Sequence, residues 1–248
     1  MNHLPELDQY TVPFAQAAYE PLRVTFNLAP NSHMVSYDQI HFDGLLARAL
    51  VERATEGHLI PDCEKGYWIP LPLKMLWRSE AGFPLWAASI LYPVGPNVED
   101  TYIRHKRNSD GSMHNKANLT TRNGPWMERR MPTPTRVCNT YEARCIGNKE
   151  LVQSFLANFT HIGKLRLARV RGVTVDSTAY TDEEIWQSES KLLRPMPAAT
   201  ELLWPSAPSL CGWTPPYWKP SLFMLGWRVG TFVSPFNRGD TYDLDFAS

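Results

Sequence analysis

Four cysteines and no CxxC pair among 248 residues leave little room for a zinc knuckle or a thiol redox motif. Cys63, Cys138, Cys145 and Cys211 are expected to be reduced thiols, buried one by one. Signatures of chemistry are missing too: there is no GxSxG, HExxH, P-loop or GxGxxG, and no carboxylates are spaced as in a recognisable metal-ion nuclease. No catalytic residue, cofactor or metal ligand is therefore assigned. No apolar run approaches the roughly 20 residues that span a bilayer, and the opening MNHLPELDQY lacks the basic start and apolar stretch of a secretory signal. The chain is read as cytoplasmic, with no membrane partner. Net charge is absent as well, because 25 Lys and Arg balance 25 Asp and Glu. Any affinity for nucleic acid must then come from local clustering and not from the total.

What the chain does have is proline and tryptophan. Its 21 prolines exceed the roughly 5% average, and nine Trp is also high. Much of the surface should be stiff loops that present aromatic rings. The length allows one large domain or two small ones; the reading is a single domain over 1–248, with an insertion at about 101–130 and an irregular extension from about 177 to 248.

Leu22, Val24, Phe26 and Leu28 alternate with Arg23, Thr25 and Asn27, the period of a half-buried strand that Pro30 ends. FDGLLARALVERA then places Phe42, Leu45, Leu46, Ala49 and Leu50 on one helix face, with Arg48, Glu52 and Arg53 towards water. Short apolar stretches at Tyr67 to Leu73 and Leu85 to Tyr92 read as strands. Loose alternation returns from Val137 to Ile146, and Asn148 offers an N-cap to a helix carrying Leu151, Val152, Phe155, Leu156 and Phe159. A further strand is expected from Leu165 to Val175. The order β, α, β, β, polar insertion, β, α, β suggests an α+β fold of one or two ferredoxin-like (RRM-like) units, with helices on one face of an antiparallel sheet. Beyond Asp176 come an acidic patch (Asp182, Glu183, Glu184, Glu189) and a Pro- and Trp-rich extension with seven prolines between 194 and 220, expected to wrap the core as ordered loops.

The charge is concentrated in two places. Residues 101–136 hold eight Lys or Arg (Arg104, Lys106, Arg107, Lys116, Arg122, Arg129, Arg130, Arg136) against Asp110 and Glu128. With Asn108 to Gly111 and Asn123 to Pro125 inside it, this segment reads as a flexible loop or a long hairpin that could lie along a phosphate backbone. The second cluster, Asn158 to Gly172, contains Lys164, Arg166, Arg169 and Arg171 and no acid. Its alternation slips beyond Ala168, as a bulge or tight turn would require, so that Val170 points inwards between two arginines. Guanidinium groups fork onto phosphates and stack on bases, which suits single-stranded RNA. The candidate RNA-binding set is Arg104, His105, Lys106, Arg107, Lys116, Arg122, His161, Lys164, Arg166, Arg169 and Arg171. A competing assignment makes His161 a general acid beside Lys164, supported by Tyr102 or His105, in metal-independent RNA cleavage.

Taken in order, the first strand with FDGLLARAL, the basic insertion, the strand and helix leading into HIGKLR, RPMP at Arg194 to Pro197 and PPYW at Pro215 to Trp218 resemble a known family. It is the RAMP subunit of type IV CRISPR effector complexes that holds the 5′ handle of the guide RNA. The resemblance implies a RAMP fold whose insertion acts as a thumb, and a non-catalytic role in clamping the handle and capping the backbone of the complex. It also implies the partners: guide RNA, the backbone RAMP subunit and the large subunit at the 5′ end, with target DNA as a further candidate. One departure stands out. Where that family commonly follows IGK with a glycine-rich turn, Arg169 and Arg171 occupy the expected glycine positions.

Overall fold

The computed structural model describes residues 4–35, 39–57, 67–79, 82–106, 129–163, 167–188, 191–197, 209–212, 215 and 223–230. In chain order its elements are α1 (Asp8–Gln16), β1 (Glu20–Leu28), β2 (His33–Val35), α2 (Phe42–Ala54), β3 (Met75–Arg78), β4 (Pro84–Trp86) and β5 (Tyr92–Pro93). Then follow β6 (Asn97–Lys106), β7 (Arg129–Cys138), β8 (Thr140–Gly147), α3 (Lys149–Leu156), β9 (His161–Ile162), β10 (Ala168–Ser177) and α4 (Asp182–Trp186). Five short strands close the series: β11 (Gln187–Ser188), β12 (Lys191–Leu192), β13 (Met196–Pro197), β14 (Ser209–Cys211) and β15 (Met224–Trp227).

The central sheet is antiparallel, in the order β5-β8-β1-β10-β9. Its first long strand sits in the middle, between the strand that precedes α3 and the strand that follows it, which is compatible with a ferredoxin-like arrangement. The sequence explains why. Leu22, Val24, Phe26 and Leu28 are all buried on one face of β1, opposite Cys145, Ala143 and Tyr141 of β8 and Val175, Val173 and Val170 of β10. Against this face lies α2 with Phe42, Leu45, Leu46, Ala49 and Leu50 inwards, as its 3.6-residue period requires. Next to it α3 begins at Asn148, whose Oδ1 accepts the Leu151 N–H at 3.0 Å, and buries Val152, Phe155 and Leu156.

Several expected elements are redrawn. Tyr67 to Leu73 is no strand; it makes isolated bridges, one of them from Leu73 to Gly147, because Pro70 and Pro72 remove the donors a ladder needs. Pairing begins later, at β3. The stretch from Val137 to Ile146 is two strands broken at Asn139, and β9 was not anticipated. Helix α1 was missed as well, since Pro13 interrupts its pattern, yet Phe14 and Tyr10 pack on Phe155 at ring distances of 5.9 and 6.0 Å. The proline-rich stretch after 177 carries α4 and β11 to β15 in place of loops alone. Cys138, Cys145 and Cys211 are free and buried, as expected, while Cys63 lies outside the described residues. No described helix is long and apolar enough to cross a membrane.

Candidate nucleic-acid interface

The basic insertion is rooted in a hairpin. β6 and β7 pair without a break from Asn97 opposite Cys138 to Lys106 opposite Arg129, so the hairpin alternative holds for its described part. Arg104, His105 and Lys106 lie in the outer half of β6, at register positions facing Met131, Arg130 and Arg129. Arg107, Lys116 and Arg122 fall outside the described residues, as do Lys164 and Arg166.

Strand β2 fixes the base of this hairpin. His33, Met34 and Val35 pair with Val137, Arg136 and Thr135. His33 was not singled out from the sequence, and no local motif marks it, because its partners are set by strand pairing across the fold. Its Nδ1 lies 3.1 Å from Thr135 Oγ1 and 3.8 Å from Asp100 Oδ2, and its ring centroid is 5.9 Å from that of Tyr102. Tyr102 is thus engaged with His33, and no described contact joins it to His161.

The other end of the candidate interface is Gly163, directly after β9. Gly163 has φ +75°, a left-handed conformation that favours glycine, and a Cβ there would come 2.6 Å from Met34 Sδ. Its backbone therefore rests against β2. The neighbouring end of β10 touches the same region, since the Arg169 carbonyl accepts the Ala29 N–H at 2.8 Å and the Ser32 hydroxyl at 3.5 Å. The two basic segments, far apart in the chain, meet at one short strand: Gly163 lies against Met34, and Met34 pairs with Arg136.

The expected irregularity in β10 is a true bulge, placed at Arg171. Leu28 pairs with Val170 and Asn27 with Gly172, so Arg171 is the extra residue. Ala168 and Val170 are buried, whereas Arg169 and Arg171 are exposed. Arg169 stands opposite His161, whose Nδ1 is 3.1 Å from Thr160 Oγ1. Of the candidate set, His161, Arg169 and Arg171 are thus gathered at one end of the sheet.

α2 and α3 cover one side of this sheet, and α4 sits over the Arg23 end of the other, where Ile185 packs on Ile146. On the other, Asn27 is flanked by Thr140 and Gly172, and Thr25 by Glu142 and Thr174, polar or small groups throughout. Towards the Arg23 end the face is occupied: Arg144 donates to Tyr92 Oη at 3.0 Å and to the Glu184 carbonyl at 2.8 Å, and its guanidinium lies 4.7 Å from the Tyr180 ring centroid. Arg23 reaches Asp176 at 4.0 Å. What stays open is the end bordered by Asn27, Gly172, Arg169 and the hairpin root. No aromatic ring stands on this face of β1 or β10, so a strand of nucleic acid laid there would be held through phosphates and riboses more than by stacking.

Comparison with known proteins decides the family. Residues 92–228 match the model of the family described as CRISPR type IV associated protein Csf3. The chain belongs to the Csf3 family. The matched stretch begins at β5 and takes in the basic hairpin, β8, α3, the bulged β10 and the strands up to β15. HIGKLR, RPMP and PPYW lie inside it, and FDGLLARAL lies before it. No curated protein matches the chain. Membership gives the protein a role in type IV CRISPR systems, in company with their other components.

Proposed function

We propose that this Csf3-family protein is a non-catalytic RNA-binding subunit of RAMP type that clamps the 5′ handle of the guide RNA and caps the backbone of a type IV effector complex. The observation that carries the reading is the meeting of the two basic segments at β2, through Gly163 against Met34 and Met34 opposite Arg136. Between them runs the uncovered, largely polar end of the sheet. A single RNA strand laid along Asn27 and Gly172 would have Arg169 on one flank and the hairpin on the other. Register sets Lys106 opposite Arg129, so two basic residues stand at the outermost described pair of the hairpin. Phosphate contacts carry no sequence information, which suits a subunit that holds the guide while base pairing reads the target. In this reading the partners are the guide RNA, the backbone RAMP subunit and the large subunit at the 5′ end, with target DNA met through the guide.

The test is direct binding of purified protein to a handle-containing RNA. The double variant Arg169→Ala with Arg171→Ala should weaken binding with little sequence dependence, and the salt slope should fall by about 0.7 for each phosphate of a single strand that is no longer neutralised. An unchanged slope would mean that neither arginine meets a phosphate. Incubation with a precursor repeat in EDTA should leave the RNA whole. A discrete cut that disappears in His161→Ala would replace the clamp with a metal-independent endoribonuclease.

A further inference from the structure

β6 runs for ten residues with no Pro, no Gly and no bulge, and among the described residues it is paired on one side alone, with β7. Val98, Tyr102 and Ile103 lie exposed along it. Proteins usually guard a long edge of this kind against the addition of a further strand. The opposite edge of the same sheet is guarded. There β2 covers β7 only from Thr135 to Val137, and the next stretch of β7 holds Pro134 and Pro132, which bring no N–H to a ladder.

The prolines also settle which way β6 turns its backbone. Pro134 stands opposite Thr101 and Pro132 opposite Ile103, so neither pair exchanges hydrogen bonds, and the N–H groups of Thr101 and Ile103 point to the open edge. The Thr101 N–H is met there by the side chain of its own neighbour, Asp100 Oδ1, at 2.7 Å. A strand added at this edge would take over that donor. In an antiparallel pair, outward-turned residues must also face outward-turned ones, which leaves only every second register open.

The edge is complementary to itself when turned about a two-fold axis. Glu99 and Asp100 precede Tyr102, and Arg104 and His105 follow it. With the axis at Tyr102, Asp100 comes opposite Arg104 of the second copy, Glu99 opposite its His105, and Thr101 opposite its Ile103, while the two Tyr102 residues face each other. Opposite charges and aromatic pairs so placed favour the pairing. An axis at Thr101 would lose both acid–base pairs, and one at Ile103 would carry Glu99 past the end of β6. Within their own chain the two acids are loosely held: Glu99 reaches Arg136 at 3.9 Å and Asp100 reaches His33 at 3.8 Å, and both stay exposed.

We infer that the free protein pairs β6 with β6 of a second copy, antiparallel about a two-fold axis at Tyr102, so that β2, β7 and β6 of each copy join in one continuous sheet. This goes beyond the RNA reading and does not rest on it. Arg104, a candidate RNA contact, would be covered by the second copy, so RNA must be stripped from the protein before the measurement.

Sedimentation of the full chain provides the test. One strand edge is a small interface, so the wild type should be largely dimeric at about 100 μM and largely monomeric at about 1 μM. Asp100→Arg and Arg104→Asp should each be monomeric at the higher concentration. Mixing the two variants should restore the dimer, because acid then faces base at both pairs. With oxidised glutathione, Tyr102→Cys should form a disulfide-linked dimer about ten-fold faster than Val98→Cys, which is also exposed but lies away from the axis. A wild type that stays monomeric at the higher concentration would overturn the inference. So would a dimer that survives both charge variants, or a mixture of the two that stays monomeric. If a charge variant fails to fold, the cross-link decides by itself, and equal rates for the two cysteine variants would overturn the pairing.

Discussion

Asp43 and Arg194 meet as an ion pair, Oδ2 to Nη2 at 3.5 Å, with side chains only 2% and 1% exposed. The pair ties the first turn of α2 to the RPMP segment. Arg194 also donates to the carbonyls of Trp86, Ala88 (2.9 Å) and Pro195 (3.3 Å), and the Asp43 Oδ1 accepts the Gly44 N–H at 2.9 Å. Two of the segments that carry the family resemblance are therefore joined inside the fold, and this arginine is spent on structure and not on RNA. Buried charges tolerate loss of one partner badly, because the other is left without compensation. Asp43→Ala and Arg194→Met should each cost about 3–5 kcal/mol, measured by urea unfolding. The double variant should cost at least about 1 kcal/mol less than the sum of the two. Strict additivity would mean that the pair is not energetically coupled.

His41, just before α2, is a second consequence of that pair. Burial, and then the nearby Arg194 charge, push its pKa down to about 3. Although the residue as a whole is only half-buried, its proton affinity follows the packed surroundings of the ring. Between about pH 6.5 and 3 the unfolded chain binds a proton that the native protein refuses, so stability rises with pH through this window and is lost as pH falls. The slope should approach roughly 1.4 kcal/mol per pH unit for this group. His41→Gln should flatten the loss of stability between pH 6 and 4 relative to wild type. An identical acid profile in the variant would show that His41 protonates freely in the folded state.

The central layer was readable because its signals are local. The alternation of Leu22 to Leu28, the 3.6-residue stripe from Phe42 to Leu50 and the Asn148 cap each specify an element without help from elsewhere. Where tertiary pairing decides, the sequence was mute. β9 is two residues long and exists through its bridges to Ala168 and Arg169, and α1 is held, despite Pro13, by edge-to-face packing of Tyr10 and Phe14 on Phe155. The candidate interface divides in the same way. Charge density picked out the hairpin and the Arg169 to Arg171 end of β10, but their meeting depends on Met34, an apolar residue in a three-residue strand with no motif around it.

Gly163 is the point of that meeting most sensitive to a single change. An alanine there must take a left-handed φ, which costs about 1–2 kcal/mol, and its Cβ must displace Met34 Sδ. Gly163→Ala should lower stability by about 2 kcal/mol and weaken handle binding several-fold. Because Met34 is flexible, Met34→Ala with Gly163→Ala should cost less than the two single changes added together. A Gly163→Ala protein of wild-type stability would show that the turn relaxes without strain.

The hairpin offers the sharpest separation of fold from function. Its root is pinned by β2 against Thr135 to Val137, and its strands run in register out to Lys106 opposite Arg129. Replacing residues 107–128 by Asn-Gly puts a two-residue turn directly across the described pair Lys106 and Arg129, a connection that matches the twist of the flanking strands. Unfolding should stay cooperative, with stability within about 1 kcal/mol of wild type. Handle binding should drop at least ten-fold, and the salt slope should fall by about 2 as Arg107, Lys116 and Arg122 are removed, at about 0.7 for each phosphate they neutralise. Loss of the folded state would place this segment in the core. Unchanged binding would leave the end of the sheet around Arg169 and Arg171 to hold the RNA without a thumb.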